Sequence, residues 1–179
     1  MRQPQFYQVT KKNQKNCKTL KRLMVAYNKE IDKNQSRKTR RKDLRRWIAS
    51  VIEMQGENGR HLELCFDGKR PIGFLYGKID RPEHKGDIRP GWGYIMEFYV
   101  IPKYRRKGYG KEMFRHLENL LRADGAENMY LTADPVTGKP FWKAMGFTDS
   151  GIQSSENNLN IYEKKIPPFC FDTIRNEVS

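Results

Sequence analysis

The stretch Glu97-Phe98-Tyr99-Val100-Ile101-Pro102-Lys103-Tyr104-Arg105-Arg106-Lys107-Gly108-Tyr109-Gly110 changes character twice within a few residues. The apolar run from Tyr94 to Ile101 suits a central strand, and Pro102 ends it because proline cannot donate to a sheet ladder. Gly108 and Gly110 then allow a tight turn and close approach of a ligand to the backbone. After Gly110, Met113, Phe114, Leu117, Leu120 and Leu121 fall on one face of a helix, which Asp124-Gly125 stops. The amides of the turn and the free N–H groups of the first helical turn point one way, and with the helix dipole they form an anion site. Arg105, Arg106 and Lys107 add cations around it. A pyrophosphate fits such a pocket. No Gly-Lys-Ser/Thr closes the turn and no Gly-x-Gly-x-x-Gly is present, so it is neither a Walker loop nor a dinucleotide fingerprint.

Working outward, Phe6 to Val9 reads as a first strand and Lys11 to Lys18 as a loop. Leu20, Leu23, Met24, Tyr27 and Ile31 have helical spacing, and so do Leu44, Trp47, Ile48, Val51 and Ile52. Leu62 to Phe66 and Ile72 to Tyr76 alternate with period two around Asp67-Gly68, which predicts a hairpin. Asp80 to Gly93 is a long loop rich in glycine and proline. Met129 to Ala133 is a further strand, Phe141 to Met145 a short helix closed by Gly146, and Leu159 to Ile166 a last strand. The order β, α, α, β, β, β, α, β, α, β describes a mixed α/β domain with a largely antiparallel front half. One domain is expected over residues 1–166, with 167–179 a tail.

The chain has 179 residues and a net charge of +14, and the surplus is local. Residues 1–50 carry 16 Lys/Arg against 3 Asp/Glu; the remainder carries 19 against 18. No apolar run reaches the length of a transmembrane helix, and no apolar stretch follows Met1, so neither a membrane span nor a secretory signal is expected. Cys17, Cys65 and Cys170 form neither a disulfide framework nor a zinc pattern, which fits reduced thiols in the cytoplasm. His61, His84 and His116 share no metal-ligand spacing, and no metal is expected. His84 reads as a surface loop residue and His116 as surface or half-buried.

The stretch Arg105 to Gly110 resembles the Arg/Gln-x-x-Gly-x-Gly/Ala signature of the GNAT superfamily of acyl-CoA-dependent N-acetyltransferases. Glu-Phe-Tyr-Val-Ile-Pro before it looks like that family's fourth strand. Phe141-Trp142-Lys143-Ala144-Met145-Gly146-Phe147 resembles a second family landmark, at the matching distance. The resemblance covers Phe6 to Ile166. It implies a strand splayed from its neighbour, with the pantetheine arm of acetyl-CoA in the gap. Backbone groups of Phe98, Tyr99 and Val100 would bond that arm as an added strand does. The amides of Arg105, Arg106, Lys107, Gly108, Tyr109 and Gly110 would bind the pyrophosphate, and Trp142 would pack beside the cofactor. It also implies transfer of the acetyl group to a primary amine by direct attack in a ternary complex; family members often form homodimers.

Such transfer needs a neutral amine, a stabilised oxyanion and a leaving thiolate. Glu97, an acid in an otherwise apolar strand, is the candidate general base. A backbone N–H near Tyr99 is the candidate oxyanion donor. The tyrosine that serves the family as general acid is replaced by Trp142, whose indole is no practical proton source; Tyr94, Tyr99 and Tyr162 are weak substitutes. The acceptor is not legible in the sequence. The helix junction with Lys33, Arg37, Lys38, Arg40, Arg41 and Lys42 has three readings: steering of an anionic acceptor or partner, contact with ribosomal or other nucleic acid, or a solvated cationic face. A domain that keeps the fold, has lost catalysis and binds nucleic acid is therefore the alternative function.

Overall fold

The computed structural model describes residues 3–32, 39–55, 59–133 and 138–168. Its elements run β1 (Gln5–Gln8), α1 (Gln14–Ile31), α2 (Arg41–Glu53), β2 (Arg60–Asp67), β3 (Arg70–Ile79), β4 (Gly93–Val100), α3 (Tyr109–Ala123), β5 (Asn128–Thr132), α4 (Gly138–Ala144), β6 (Thr148–Gln153) and β7 (Asn160–Lys165). The seven strands form one sheet in the order β1-β2-β3-β4-β5-β7-β6. Among the described residues only the β4–β5 pairing is parallel.

Two apolar layers sandwich the sheet. Met113, Phe114, Leu117 and Leu121 of α3 and Trp142 of α4 pack on Ile72, Leu75, Ile95, Met129 and Leu131. On the other face, Leu20, Leu23 and Met24 of α1 and Leu44, Ile48 and Val51 of α2 pack on Leu62, Leu64, Phe74 and Tyr99. Strand side chains alternate between the faces, so each strand feeds both layers. Among the described residues no helix is long and apolar enough to cross a membrane.

Three expectations are corrected. Lys11 to Lys18 is not all loop: Asn13 caps α1, its side chain accepting from the Asn16 N–H at 3.0 Å, and the helix starts at Gln14. The polar first turn hides this start from a reading based on apolar spacing, although asparagine is a favoured N-cap. The strand β6 is absent from the predicted order. Thr148-Asp149-Ser150-Gly151-Ile152-Gln153 is an edge strand with no buried residue, so it carries no period-two signal. The long loop after β3 is held from within. Asp80 is fully buried, with Lys78 Nζ at 2.9 Å, the Arg89 N–H at 2.9 Å and the Tyr130 hydroxyl as its partners. His84 joins the cluster, its Nδ1 3.1 Å from Lys78 Nζ, so it is a part of the loop's scaffold and not a free surface residue. His116 is half-buried, stacked on Phe6 and 2.7 Å from Glu63.

Candidate active site

Among the described residues, strands β4 and β5 pair at Gly93–Met129 and Tyr94–Tyr130 alone. Beyond Tyr94 no further pairing joins the two strands among the described residues, and the outer edge of β4 from Ile95 to Val100 has no strand beside it. Which groups face this edge follows from the ladder on the other side. The Ile101 N–H donates to the Ile72 carbonyl at 2.8 Å, and the register pairs Tyr99 with Phe74 and Glu97 with Tyr76. Hydrogen-bonded pairs alternate along an antiparallel ladder, so the Tyr99 N–H and C=O face β3, while those of Phe98 and Val100 face the opening. A Cβ built on Gly73 of β3 would meet the Tyr99 carbonyl oxygen at 2.2 Å, which places that oxygen on the β3 side. The expectation of a Tyr99 oxyanion donor is therefore corrected: its N–H is committed to the sheet, and the outward amide is that of Phe98.

The register slips once. Tyr76 pairs with Glu97 and Gly77 with Ile95, which leaves Met96 as an extra residue without a cross-strand partner. Such a bulge re-aims the side chains beside it. Ile95 and Val100 belong to the layer under α3, and Phe98 packs against it. Tyr99 belongs to the layer under α1 and α2, and Met96 packs against that one. Strict alternation from Ile95 would turn Glu97 toward α3. The bulge instead turns it toward α1 and α2, where it lines a cavity of about 240 Å³ with Met24, Tyr27, Asn28, Ile31, Leu44 and Trp47 among its walls. Burial pushes the Glu97 carboxyl up to about 7, offset in part by a hydrogen bond donated by the Tyr27 hydroxyl. A carboxyl near neutrality is suited to take a proton at physiological pH.

At the other end of β4, a 3-10 turn over Pro102–Tyr104 leads into the glycine turn. Arg106 (φ 60°) and Gly108 (φ 85°) both adopt left-handed backbone. Turns of this kind gather successive N–H groups into an anion-binding concavity. Gly108 is the N-cap of α3 and no side chain caps the helix, so no side chain competes for the amides of its first turn. Arg106 and Lys107 are exposed beside them. The Arg105 side chain departs from expectation. Its guanidinium is withdrawn into a fork on Glu30 of α1 (2.6 and 2.8 Å), with Nε donating to the Val100 carbonyl at 2.8 Å. Arg105 thus contributes its backbone to the turn and its charge to α1. The Tyr109 ring is 6% exposed and lies edge-on to Tyr104, so Tyr109 too offers only its backbone.

Trp142 is buried in an aromatic cluster with Phe98, Phe114, Phe141 and Phe147. The residue that reaches the opening is its neighbour. Phe141 stacks on Phe98 with ring centres 5.6 Å apart, and a Cβ on Gly110 would touch its ring at 3.1 Å. Phe141, Tyr27 and Glu30 are the site residues that sequence reading missed. Phe141 had a signal, as the first of an aromatic pair; the other two look like ordinary members of an amphipathic helix. Of the basic junction, Lys33, Arg37 and Lys38 lie outside the described residues, while Arg40, Arg41 and Lys42 are exposed, Arg40 with its Nε donating to the Asp43 carboxylate at 2.9 Å.

A sequence profile of the Acetyltransferase (GNAT) family matches residues 20–147. No curated protein sequence matches the chain. Among solved structures, a GNAT-family acetyltransferase from Staphylococcus aureus superposes with a TM-score of 0.70 at 12% identity, covering 92% of this chain and 99% of that one. PaiA N-acetyltransferase from Thermoplasma acidophilum, solved in complex with coenzyme A, gives 0.67 at 17% identity over 90% and 98%. Aminoglycoside 6'-acetyltransferase type Ii gives 0.65 at 15% identity over 92% and 99%. At these identities the structures speak to the fold, and the profile, which spans most of the sequence and both glycine and aromatic landmarks, speaks to descent: the chain belongs to the GNAT acetyltransferase family.

Proposed function

We propose that this protein transfers the acetyl group of acetyl-CoA to a primary amine by direct attack in a ternary complex. The observation that carries the reading is the open outer edge of β4, which ends at an uncapped helix N-terminus with two left-handed residues before it. An extended arm fits such an edge by strand addition, and a pyrophosphate fits the amides of Arg105 to Gly110. Phe98 presents its outward N–H and C=O and Val100 its N–H, the Val100 carbonyl being held by Arg105 Nε, and Phe141 with Phe98 forms an apolar wall for the arm.

The acceptor arrives protonated, since an alkylamine titrates near 10.4. Glu97 accepts that proton, directly or through a water. The amine nitrogen then attacks the thioester carbonyl, forming the C–N bond. The oxyanion is held by the outward Phe98 N–H. The C–S bond breaks as the carbonyl re-forms, the electron pair leaves with sulfur, and the second nitrogen proton passes to the departing thiolate or to solvent, leaving the neutral amide. A thiol that titrates near 8.5 can depart as a thiolate without a dedicated acid, which accommodates tryptophan at position 142. The exposed cations of the first quarter are a solvated face in this reading.

Thermal unfolding with and without saturating acetyl-CoA tests the proposal. Acetyl-CoA is expected to raise the melting temperature by mass action. Gly108→Glu, which forces a side chain and a negative charge into left-handed backbone at the anion site, is expected to abolish the increase. No increase for the unaltered protein would refute the proposal.

A further inference from the structure

Residues 1–50 carry 16 Lys/Arg against 3 Asp/Glu, and each of those acids is already engaged. Glu30 holds the Arg105 fork, Asp32 accepts from Asn28 and Thr39, and Asp43 accepts from Arg40. Glu53, at the end of α2, is taken by Lys11 just before α1. The cations left over are ordered. Lys15, Lys18, Arg22 and Lys29 are exposed on α1. At 3.6 residues per turn they fall within an arc of about 60°, in a row about 21 Å long. Arg41, Lys42, Arg45 and Arg46 are exposed on α2. Among the described residues none of these cations has an ion-pair partner. Both helices pack their apolar sides on the same face of the sheet, so both rows look outward on that side.

This arrangement works against folding. Lys18 and Arg22, Arg41 and Arg45, and Lys42 and Arg46 are like charges four residues apart, which repel on a helix. The first turn of α1 holds Lys15 and no acid, at the positive end of the helix dipole. A surface that serves solubility alone intersperses both signs; this face keeps one.

We infer that the outer face of α1 and α2 is a docking surface for the phosphate backbone of duplex nucleic acid, bound without regard to base sequence. The acetyl-transfer reading makes no use of this face, and the two stand or fall separately. The make-up of the face selects the partner. A protein interface is centred on aromatic and other large anchors that become buried, and a helix lying on a membrane sinks Trp, Phe or Leu into the lipid. Among the described residues Val25 is the one large hydrophobic side chain exposed on α1 or α2. Single-stranded nucleic acid is held by bases stacked on exposed rings, whereas Tyr27 and Trp47 pack into the layer beneath the helices. What the face offers is closely spaced positive charge alone. Duplex DNA presents about one phosphate charge per 1.7 Å of axis, so roughly twelve lie along the length of the α1 row.

Fluorescence anisotropy of the full chain with a labelled DNA duplex of about 20 base pairs, and with the RNA duplex of the same sequence, tests the inference across a range of NaCl concentrations. A Kd of about 1–100 µM at 150 mM salt is expected, with a slope of log K against log salt of about −4 or steeper. Lys18→Gln with Arg22→Gln on α1, and separately Arg45→Gln with Arg46→Gln on α2, should each flatten the slope by about 2 and weaken binding at 150 mM salt roughly thirtyfold, at about 0.9 counterions released per phosphate. Each pair relieves like-charge repulsion, so neither variant should melt below the unaltered protein. Arg106→Gln with Lys107→Gln removes the same charge from the glycine turn, more than a Debye length away in this reading, and should weaken binding less than about threefold. Whichever duplex binds more tightly identifies the source of the phosphates. The inference is overturned if neither duplex binds at 25 mM salt, if the glycine-turn pair costs as much as the helix pairs, or if polyglutamate or phosphatidylserine vesicles bind more tightly than the duplexes at equal salt.

Discussion

Replacing Glu97 by glutamine keeps the shape of the side chain and an acceptor for the Tyr27 hydroxyl while removing the ionisation. Burial moves this carboxyl from 4.5 to about 7. A shift of that size disfavours the charged form in the folded state by roughly 3 kcal/mol. The sign follows from linkage. Below pH 4.5 the acid is protonated whether the chain is folded or not, and the substitution removes no charge penalty. Between 4.5 and about 7 the unfolded chain ionises first, so the unaltered protein loses stability relative to the variant as pH rises. Above 7 the loss is complete. Glu97→Gln is thus expected to melt roughly 6–12 °C above the unaltered protein at pH 8, at about 2–4 °C per kcal/mol for a domain of this size, with the gap closing toward pH 4.5. Differential scanning calorimetry across that range reads it. The variant should also lose the rise in acetyl-transfer rate centred near pH 7. A melting difference that does not change with pH, or a variant less stable at pH 8, would refute the argument that Glu97 is held in a desolvated site.

Three further outcomes are expected. Arg106→Gly should raise the unfolding free energy by about 1 kcal/mol, because arginine bears a left-handed backbone cost that glycine does not; urea titration measures it, and a loss of stability would mean that the side chain makes up for the strain. Glu30→Gln should cost about 1 kcal/mol, the scale of a partly exposed but forked ion pair, with the cost shrinking in high salt; an unchanged urea midpoint at low salt would mean that the Arg105 fork contributes nothing. Asp80→Ala should destabilise by about 3–5 kcal/mol, since Lys78 is left buried without its partner; hydrogen exchange should show the loop after β3 opening first, and full protection there would count against Asp80 as its anchor.

The strands and helices that bury a face were legible from spacing alone, and the glycine turn was legible because its residues are constrained by backbone geometry. What escaped was set by contacts between distant segments. Nothing in Glu30 announces that it binds Arg105, 75 positions along the chain. The Arg105-Arg106-Lys107 run reads as three equivalent cations until the fold withdraws one. Likewise β6, an exposed edge, has no apolar pattern to betray it. The choice of Phe98 over Tyr99 as the outward amide depends on ladder parity, which is fixed by a single hydrogen bond at Ile101. Glu97 itself was found from its chemistry, but the side of the sheet it serves was decided by one unpaired residue.

That extra residue at Met96 divides β4 into two stretches whose phases are independent. Upstream, Gly93 and Tyr94 keep step with β5 and Ile95 joins the core under α3; downstream, Glu97 to Val100 keeps step with β3 as far as the approach to the glycine turn. Changes of size among the upstream core residues can therefore be absorbed without rotating the carboxylate, as a slack link absorbs play between two gears. Deleting Met96 would remove the slack, and one of the two stretches would then have to turn its side chains to the opposite face of the sheet.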